Sequence, residues 1–178
     1  CSKSLSYDDQ CRSCPENEKN FLHQVQAICR KNEALFILDE MITGFRWHLK
    51  GAQYYFGVQP DLCTFGKGMA NGFSVAALLG RREIMDAGSI SNPGAERTFL
   101  LSTTHGGEMS SLRAFIETVK VYKDRDVCRH LWSFGGKLKN GLLDISKELG
   151  ISEQFSIDGP PISMNYNTRD SAGNVSME

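Results

Sequence analysis

The chain has 178 residues, of which 40% are hydrophobic and 23% are charged, and its formal net charge is -1. These values predict an ordinary globular fold, and they argue against nucleic acid as a partner because there is no basic excess to neutralise phosphates. No apolar run approaches the roughly 18 residues that a membrane-spanning helix needs, so we expect no membrane partner.

The two ends of the sequence and its cysteines bear on location and metal binding. The N-terminus lacks the charged-then-apolar pattern of a signal peptide, so we expect a cytoplasmic protein. The chain begins at Cys1 rather than Met and ends on the polar stretch "SAGNVSME", which suggests a piece of a longer protein. Only Cys11 and Cys14 have a C-x-x-C spacing, without a second pair or histidines at ligand spacing, so we predict free thiols and no metal site.

The first predicted element is an amphipathic helix within residues 18–32. Its apolar positions fall on one face: Phe21, Leu22, Val25, Ile28 and Cys29. The next run, "EALFILDE", is apolar and ends in two acids, which is typical of a strand buried on both faces of a parallel sheet. Two more short strands are predicted within "CTFGKG" and "SVAALLG", on either side of Lys67.

The second half of the chain is predicted to be mainly helical. A short helix over residues 82–88 precedes a long loop rich in Gly, Ser and Thr, and loops of this length are often functional. Helical spacing then predicts long helices in residues 108–126 and 127–150, the second continuing past Gly135 and Gly136. A last strand is predicted in "GPPISMNYNT".

The motif "PDLCTFGKGMANG" places Lys67 between two glycines. Gly66 and Gly68 carry no side chains, which would let another molecule approach the Lys67 amine closely. Without the surrounding pattern, a plain turn lysine would be the simpler interpretation.

Three polar groups stand at positions suited to one cofactor: Asp39 at a strand end, Lys67 in its turn and Thr104 in "STTHGG". A buried carboxylate needs a cationic partner, a lysine amine forms a Schiff base with a carbonyl, and a Gly-rich loop before a helix binds anions. Together the three groups describe a receptor for pyridoxal phosphate. Taken alone, Asp39 and Glu40 would be interpreted as a strand-end pair satisfied by a helix N-terminus.

The patterns "LDE..TGFR" and "FGV.PDL...GK...NG", followed by Thr before Gly-Gly, closely resemble class III pyridoxal-phosphate aminotransferases, especially the glutamate-1-semialdehyde aminomutase-like branch. The resemblance implies an α/β fold, the large domain of a fold type I transferase, with a mostly parallel central sheet flanked by helices. In this scheme residues 1–150 are part of the cofactor-binding large domain and its following long helix. Residues 151–178 begin a truncated small C-terminal α+β domain.

The same resemblance implies roles for individual residues. Asp39 would hold the pyridine nitrogen protonated, and Met41 would pack against one face of the ring. Lys67 would form the Schiff base and carry a proton between the substrate and the cofactor. Thr104 would bind the phosphate from the partner subunit of a homodimer. Glu108 stands where the family commonly has Asn, which marks a difference between branches.

Two functional interpretations follow. The first is an enzyme that moves an amino group between a small-molecule donor and acceptor, or within one molecule. The second is a catalytically incompetent fragment or degenerate homologue with a structural or association role, because the family's upstream phosphate loop and ring-stacking aromatic residue are missing from the chain. Arg46 is predicted to form a structural salt bridge near the site.

Overall fold

The computed structural model describes residues 20–89, 94 and 106–176. The helices are α1 (Phe21–Lys31), α2 (Ala52–Phe56), α3 (Arg82–Met85), α4 (Met109–Asp124) and α5 (Val127–Glu148), with 3-10 turns at Lys67–Met69 and Asp86–Gly88. The strands are β1 (Ile37–Asp39), β2 (Leu62–Phe65), β3 (Ala77–Gly80), β4 (Phe155–Asp158) and β5 (Asn165–Thr168).

The first three strands form one sheet in the order β1-β2-β3. β1 pairs parallel with β2, so that Asp39 lies opposite Thr64, whereas β2 pairs antiparallel with β3. The described part of the sheet is therefore mixed, where the sequence predicts a mostly parallel one. The connection between β2 and β3 is short, which favours antiparallel pairing. Two parallel strands would need a longer crossover connection than the segment around Lys67 provides.

One face of this sheet packs on α4 and forms the core. Phe45 is its centre, because its ring meets the rings of Phe65 and Phe115 edge-on at 5.9 Å and that of Tyr122 at 6.2 Å between centroids. Edge-to-face pairs of this kind stabilise packing beyond the area that they bury. Cys63 and Met69 complete the buried cluster, and they help to hold the carboxyl end of β2 against the helix layer.

The opposite face of the sheet is open within the described residues, which corrects the prediction for β1. Ile37 is 57% exposed and Leu35 is 51% exposed, although the sequence predicts a strand buried on both faces. Apolar side chains on both faces indicate two packing layers, but the described residues supply only one. β1 therefore alternates between a buried and an exposed face, with period two.

The C-terminal part contains a second sheet, the antiparallel pair β4-β5. The sequence predicts β5 but misses β4, which pairs with it and contacts α5. Gly135 lets the connecting segment approach this helix, because a Cβ at that position would lie 2.0 Å from the Pro161 carbonyl oxygen. Arg46 Nε donates to the Ile162 carbonyl at 2.6 Å, and the predicted salt bridge of Arg46 is not found among the described residues.

None of the helices in the described ranges is long and apolar enough to cross a membrane. The described residues also include no group of three or more His, Cys, Asp or Glu side chains placed to hold a metal ion. Cys29, Cys63 and Cys128 are free thiols in this part of the chain, while Cys11 and Cys14 lie outside it.

Candidate active site at the carboxyl ends of two strands

Two neighbouring acids at the end of β1 point to opposite sides of the sheet. Glu40 is fully buried on the core side, whereas Asp39 is exposed on the open side. Successive side chains of a strand alternate between faces, so adjacent carboxylates acquire different environments. The pair therefore splits into one structural acid and one acid available to a ligand.

Glu40 is the structural acid. Its carboxylate accepts hydrogen bonds from the backbone amides of Ala52 at 2.7 Å and Gln53 at 2.8 Å, and from the Thr43 hydroxyl at 2.5 Å. These amides begin α2, where N–H groups lack partners within the helix. Gly51 makes room for the carboxylate, because a Cβ there would lie 2.5 Å from Glu40 Oε1, and its φ of +83° also favours glycine. The helix-capping interpretation is thus correct for Glu40 but not for Asp39.

Asp39 is held by two donors on one oxygen. The Met41 amide and the Thr64 hydroxyl each donate to Oδ1 at 2.9 Å, and within the described residues Oδ2 accepts no hydrogen bond. The Met41 amide, then the Thr64 hydroxyl and then the Lys67 ammonium lower the pKa of Asp39 below its ordinary value. Asp39 is therefore an anion at neutral pH, with one oxygen directed outward.

Lys67 follows β2 by two residues, at the same edge of the sheet as Asp39. Its backbone has a φ of +41° at the start of a 3-10 turn, an uncommon conformation for a residue other than glycine. Such conformations cluster at functional sites. The side chain is exposed, and its charge acts on Asp39 across the ends of the two parallel strands.

The two glycines that flank Lys67 differ in what they adjoin. A Cβ at Gly66 would lie 2.3 Å from Met41 Cε, so the space beside Gly66 is already occupied by the methionine side chain. A Cβ at Gly68 would lie 3.8 Å from the Tyr122 hydroxyl, which is an ordinary contact distance. The prediction that both glycines clear space for an incoming molecule is therefore wrong for Gly66, which instead accommodates Met41.

The structure thus brings together three of the four predicted site residues: Asp39, Met41 and Lys67. Thr104 lies outside the described residues, so its predicted phosphate contact stays a prediction. Thr64, whose hydroxyl donates to Asp39, is a further candidate residue that sequence reasoning missed. The parallel pairing of the two strands could have indicated its position, since residues that end neighbouring parallel strands lie at the same edge of the sheet.

An apolar cavity of about 610 Å³ lies on the other side of the sheet, away from this cluster. Phe45, Phe65 and Met69 line it together with side chains from the segment that leads into α2. Asp39, Met41 and Lys67 do not contribute to it. A choice of functional site by cavity size alone would therefore miss Asp39 and Lys67.

The sequence profile of class III aminotransferases matches residues 15–169. The chain belongs to the class III aminotransferase family. Members of this family depend on pyridoxal phosphate. The match includes Asp39 at the end of β1 and Lys67 in the turn after β2.

Curated relatives of this class III chain include glutamate-1-semialdehyde 2,1-aminomutases. That of Acetivibrio thermocellus is 38% identical over 133 residues, which is 72% of this chain and 29% of that protein. That of Methanothermobacter thermautotrophicus is 36% identical over 151 residues, which is 83% of this chain and 33% of that protein. The chain spans about a third of the length of the curated relatives that it matches.

Solved transaminase structures share the fold. FumI of Sphingopyxis sp. MTA144, solved as the pyridoxal-phosphate internal aldimine, superposes with a TM-score of 0.73 at 25% identity, over 84% of this chain and 34% of that one. An omega-transaminase from Sphaerobacter thermophilus gives a TM-score of 0.69 at 26% identity, over 79% of this chain and 31% of that one. The predicted fold, part of a fold type I pyridoxal-phosphate transferase, is confirmed.

The described residues fit the family's cofactor chemically. An anionic carboxylate with one free oxygen suits a protonated ring nitrogen, and an exposed amine close by suits an aldehyde. The open side of the sheet leaves both groups accessible to a ligand. The donor set therefore suits pyridoxal phosphate chemically.

Proposed function

We propose that the protein is a pyridoxal-phosphate-dependent aminotransferase or aminomutase, similar to glutamate-1-semialdehyde aminomutases, that acts on a small-molecule amino donor and acceptor. The observation that carries the proposal is the placement of Asp39 and Lys67 at the carboxyl ends of two paired parallel strands, with Asp39 held as an anion. Ligands of open α/β sheets bind at such strand ends. The aminomutase relatives and the transaminase structures support the same reaction class.

In this proposal Asp39 keeps a proton on the ring nitrogen of the cofactor. When bound, pyridoxal phosphate supplies an electron-withdrawing ring that stabilises the electron pair left after the substrate loses its Cα proton. Asp39 contributes a fixed negative charge through Oδ2, because Oδ1 is already bonded to the Met41 amide and the Thr64 hydroxyl. Since both donors are part of the strand ends, the charge is oriented before any ligand arrives.

Lys67 is proposed to hold the cofactor aldehyde covalently through its amine. When it is not bound to the cofactor, the Lys67 amine would carry a proton between the substrate Cα and the cofactor. Lys67 begins the 3-10 turn that follows β2, so its backbone belongs to an ordered element. The lysine thus serves twice, first as the anchor and then as the base.

The remaining contacts of the site are proposals of the same kind. Met41 is proposed to pack against one face of the ring, beside Gly66, where its side chain already lies. Thr104 is proposed to bind the cofactor phosphate across the interface of a homodimer. We also propose that the protein works in the cytoplasm, and that residues 1–150 belong to the large domain and residues 151–178 to the small one.

The proposal can be tested by trapping the cofactor on the protein. The full-length protein is incubated with pyridoxal phosphate and reduced with borohydride, which makes a lysine–cofactor linkage permanent, and its peptides are then analysed by mass spectrometry. We expect the added mass on Lys67, with neither the added mass nor turnover in Lys67→Ala. Lys50→Ala is the matched control, since Lys50 is an exposed lysine that lines the cavity on the core side of the sheet.

Two results would contradict the proposal. Transamination at an unchanged rate in Lys67→Ala would show that Lys67 is not the anchoring amine. Absence of any trapped cofactor from the unaltered protein would favour the alternative, a catalytically incompetent protein with a structural or association role. Asp39→Asn separates the roles further, because it should bind cofactor but lose on the order of 100-fold or more in rate.

A further inference from the structure

Thr64 joins the two strand ends that carry the candidate site. It lies directly opposite Asp39 in the parallel register of β1 and β2. Its carbonyl accepts the Glu40 amide at 3.0 Å, and its hydroxyl donates to Asp39 Oδ1 at 2.9 Å. One residue of β2 therefore fixes the end of β1 through both its backbone and its side chain.

The hydroxyl bond selects one orientation of the Asp39 carboxylate. A carboxylate on an exposed strand end rotates freely about its last torsion unless neighbours fix it. Here the Met41 amide and the Thr64 hydroxyl bond to the same oxygen, so the plane of the carboxylate is set and Oδ2 is left facing away from both donors. Two donors on one oxygen restrict rotation more than either donor alone.

The shape of threonine suits this task. Its branched Cβ restricts rotation about χ1, so the hydroxyl stays directed once the methyl group is packed. Thr64 is half-buried while Asp39 is exposed, and the donor is therefore the better shielded member of the pair. The Met41 donor is a backbone amide, whereas the Thr64 donor is a side chain that can be removed by substitution.

We propose that Thr64 is a positioning residue, whose hydroxyl holds the Asp39 carboxylate oriented so that Oδ2 faces the ring nitrogen of the cofactor. This role rests on the proposed function, because it matters for catalysis only if Asp39 faces a pyridoxal ring. The bond itself exists without the cofactor and is testable without it. Thr64 acts through Asp39 and needs no contact with the substrate.

The first measurement uses the cofactor-free full-length protein. The pKa of the Asp39 carboxyl group is followed by carbon NMR in protein with labelled aspartate, with Asp39→Asn identifying the resonance. Because the Thr64 hydroxyl lowers the pKa of Asp39, Thr64→Val should raise that pKa toward its ordinary value. Thr64→Ser, which restores a hydroxyl, should bring the pKa back down.

Thr43→Val provides the matched control. Its hydroxyl also donates to a carboxylate, but to that of Glu40 on the core side. We expect Thr43→Val to leave the pKa of Asp39 unchanged. A rise of equal size in Thr43→Val and Thr64→Val would show a general loosening of the strand end, and it would overturn the positioning role.

The second measurement uses the enzyme loaded with pyridoxal phosphate. Thr64→Val should lower kcat about tenfold with little change in KM, and Thr64→Ser should recover most of the loss. The acid limb of the pH–rate profile should move to higher pH in Thr64→Val, since an Asp39 with a raised pKa loses its charge at a higher pH. Unchanged kcat and an unchanged acid limb in Thr64→Val would overturn the proposal.

The two measurements separate the inference from the function on which it rests. If the unaltered protein bound no cofactor, the proposed function would fail, while the NMR comparison would still decide whether Thr64 holds Asp39. If cofactor bound to Lys67 but the pKa of Asp39 were the same in Thr64→Val, the positioning role alone would be wrong.

Discussion

Replacing Glu40 with glutamine tests the division between the two neighbouring acids. Glu40→Gln keeps the size and shape of the side chain but exchanges one acceptor oxygen for an NH₂ group. In the structure both carboxylate oxygens are used, Oε2 by the Ala52 amide and the Thr43 hydroxyl, and Oε1 by the Gln53 amide. In either orientation of the new amide, one backbone donor of α2 faces a second donor and loses its partner.

The expected loss can be worked out from these bonds. Leaving one buried donor of a charge-assisted hydrogen bond unpaired destabilises a protein by about 1.5–3 kcal/mol. For a chain of this size, about 2–4 °C of thermal midpoint is lost per kcal/mol, so the midpoint should fall by roughly 3–12 °C. Glu40 has no solvent access that would supply a replacement partner, which favours the upper part of this range.

Thermal unfolding followed by circular dichroism measures this loss in the cofactor-free protein. Asp39→Asn is the matched control, because it makes the same chemical change one residue earlier on the exposed face. We expect its midpoint to stay close to that of the unaltered protein, although its catalysis fails. An unchanged midpoint in Glu40→Gln, or an equal drop in both variants, would refute the assignment of Glu40 to the scaffold and Asp39 to the site.

Two further substitutions test close contacts at glycines. Gly135→Ala should destabilise the protein by about 1–3 kcal/mol, because the new Cβ meets the rigid backbone at Pro161. Urea unfolding measures this change, and an unchanged stability would contradict the contact. Gly136→Ala is the control, since a Cβ there would have nothing within 4 Å. Gly66→Ala should change stability by less than about 1 kcal/mol, since flexible Met41 can move aside, yet weaken cofactor binding measured by titration. Unchanged affinity would argue against a role for Met41 at the ring.

Local elements were predictable where their pattern depends on neighbouring residues. The helix in residues 18–32 and the strands around Lys67 were predicted from apolar spacing and turn residues, and the structure contains them. β4 was missed because the alternation of apolar and polar residues in "FSID" spans only four residues, and its pairing energy comes from β5 further along the chain. The exposed face of β1 was missed for a related reason, because the hydrophobicity of its residues does not indicate whether a second layer of helices covers that face.

The candidate site, too, was predictable only where it depends on local sequence. Asp39 and Lys67 follow from strand ends and turn chemistry, which are local properties. The contact between Asp39 and Thr64 depends on the register of two strands, and neither strand specifies that register by itself. The burial of Glu40 depends on where α2 begins, 12 residues later in the chain, and this too is a tertiary property.

The alternation along β1 has a consequence for how the chain can vary in length. Removing one residue of the strand ahead of Asp39 would turn Asp39 toward the core and Glu40 toward the open side. Met41 would then take the position of Glu40 opposite the amides of α2, and the longer glutamate would project beyond the point where Asp39 Oδ2 now ends. Substitutions in β1 change one side chain at a time, whereas a change of a single residue in its length would disable the helix cap and the candidate site together. The count of residues in this strand is therefore under tighter constraint than their identity.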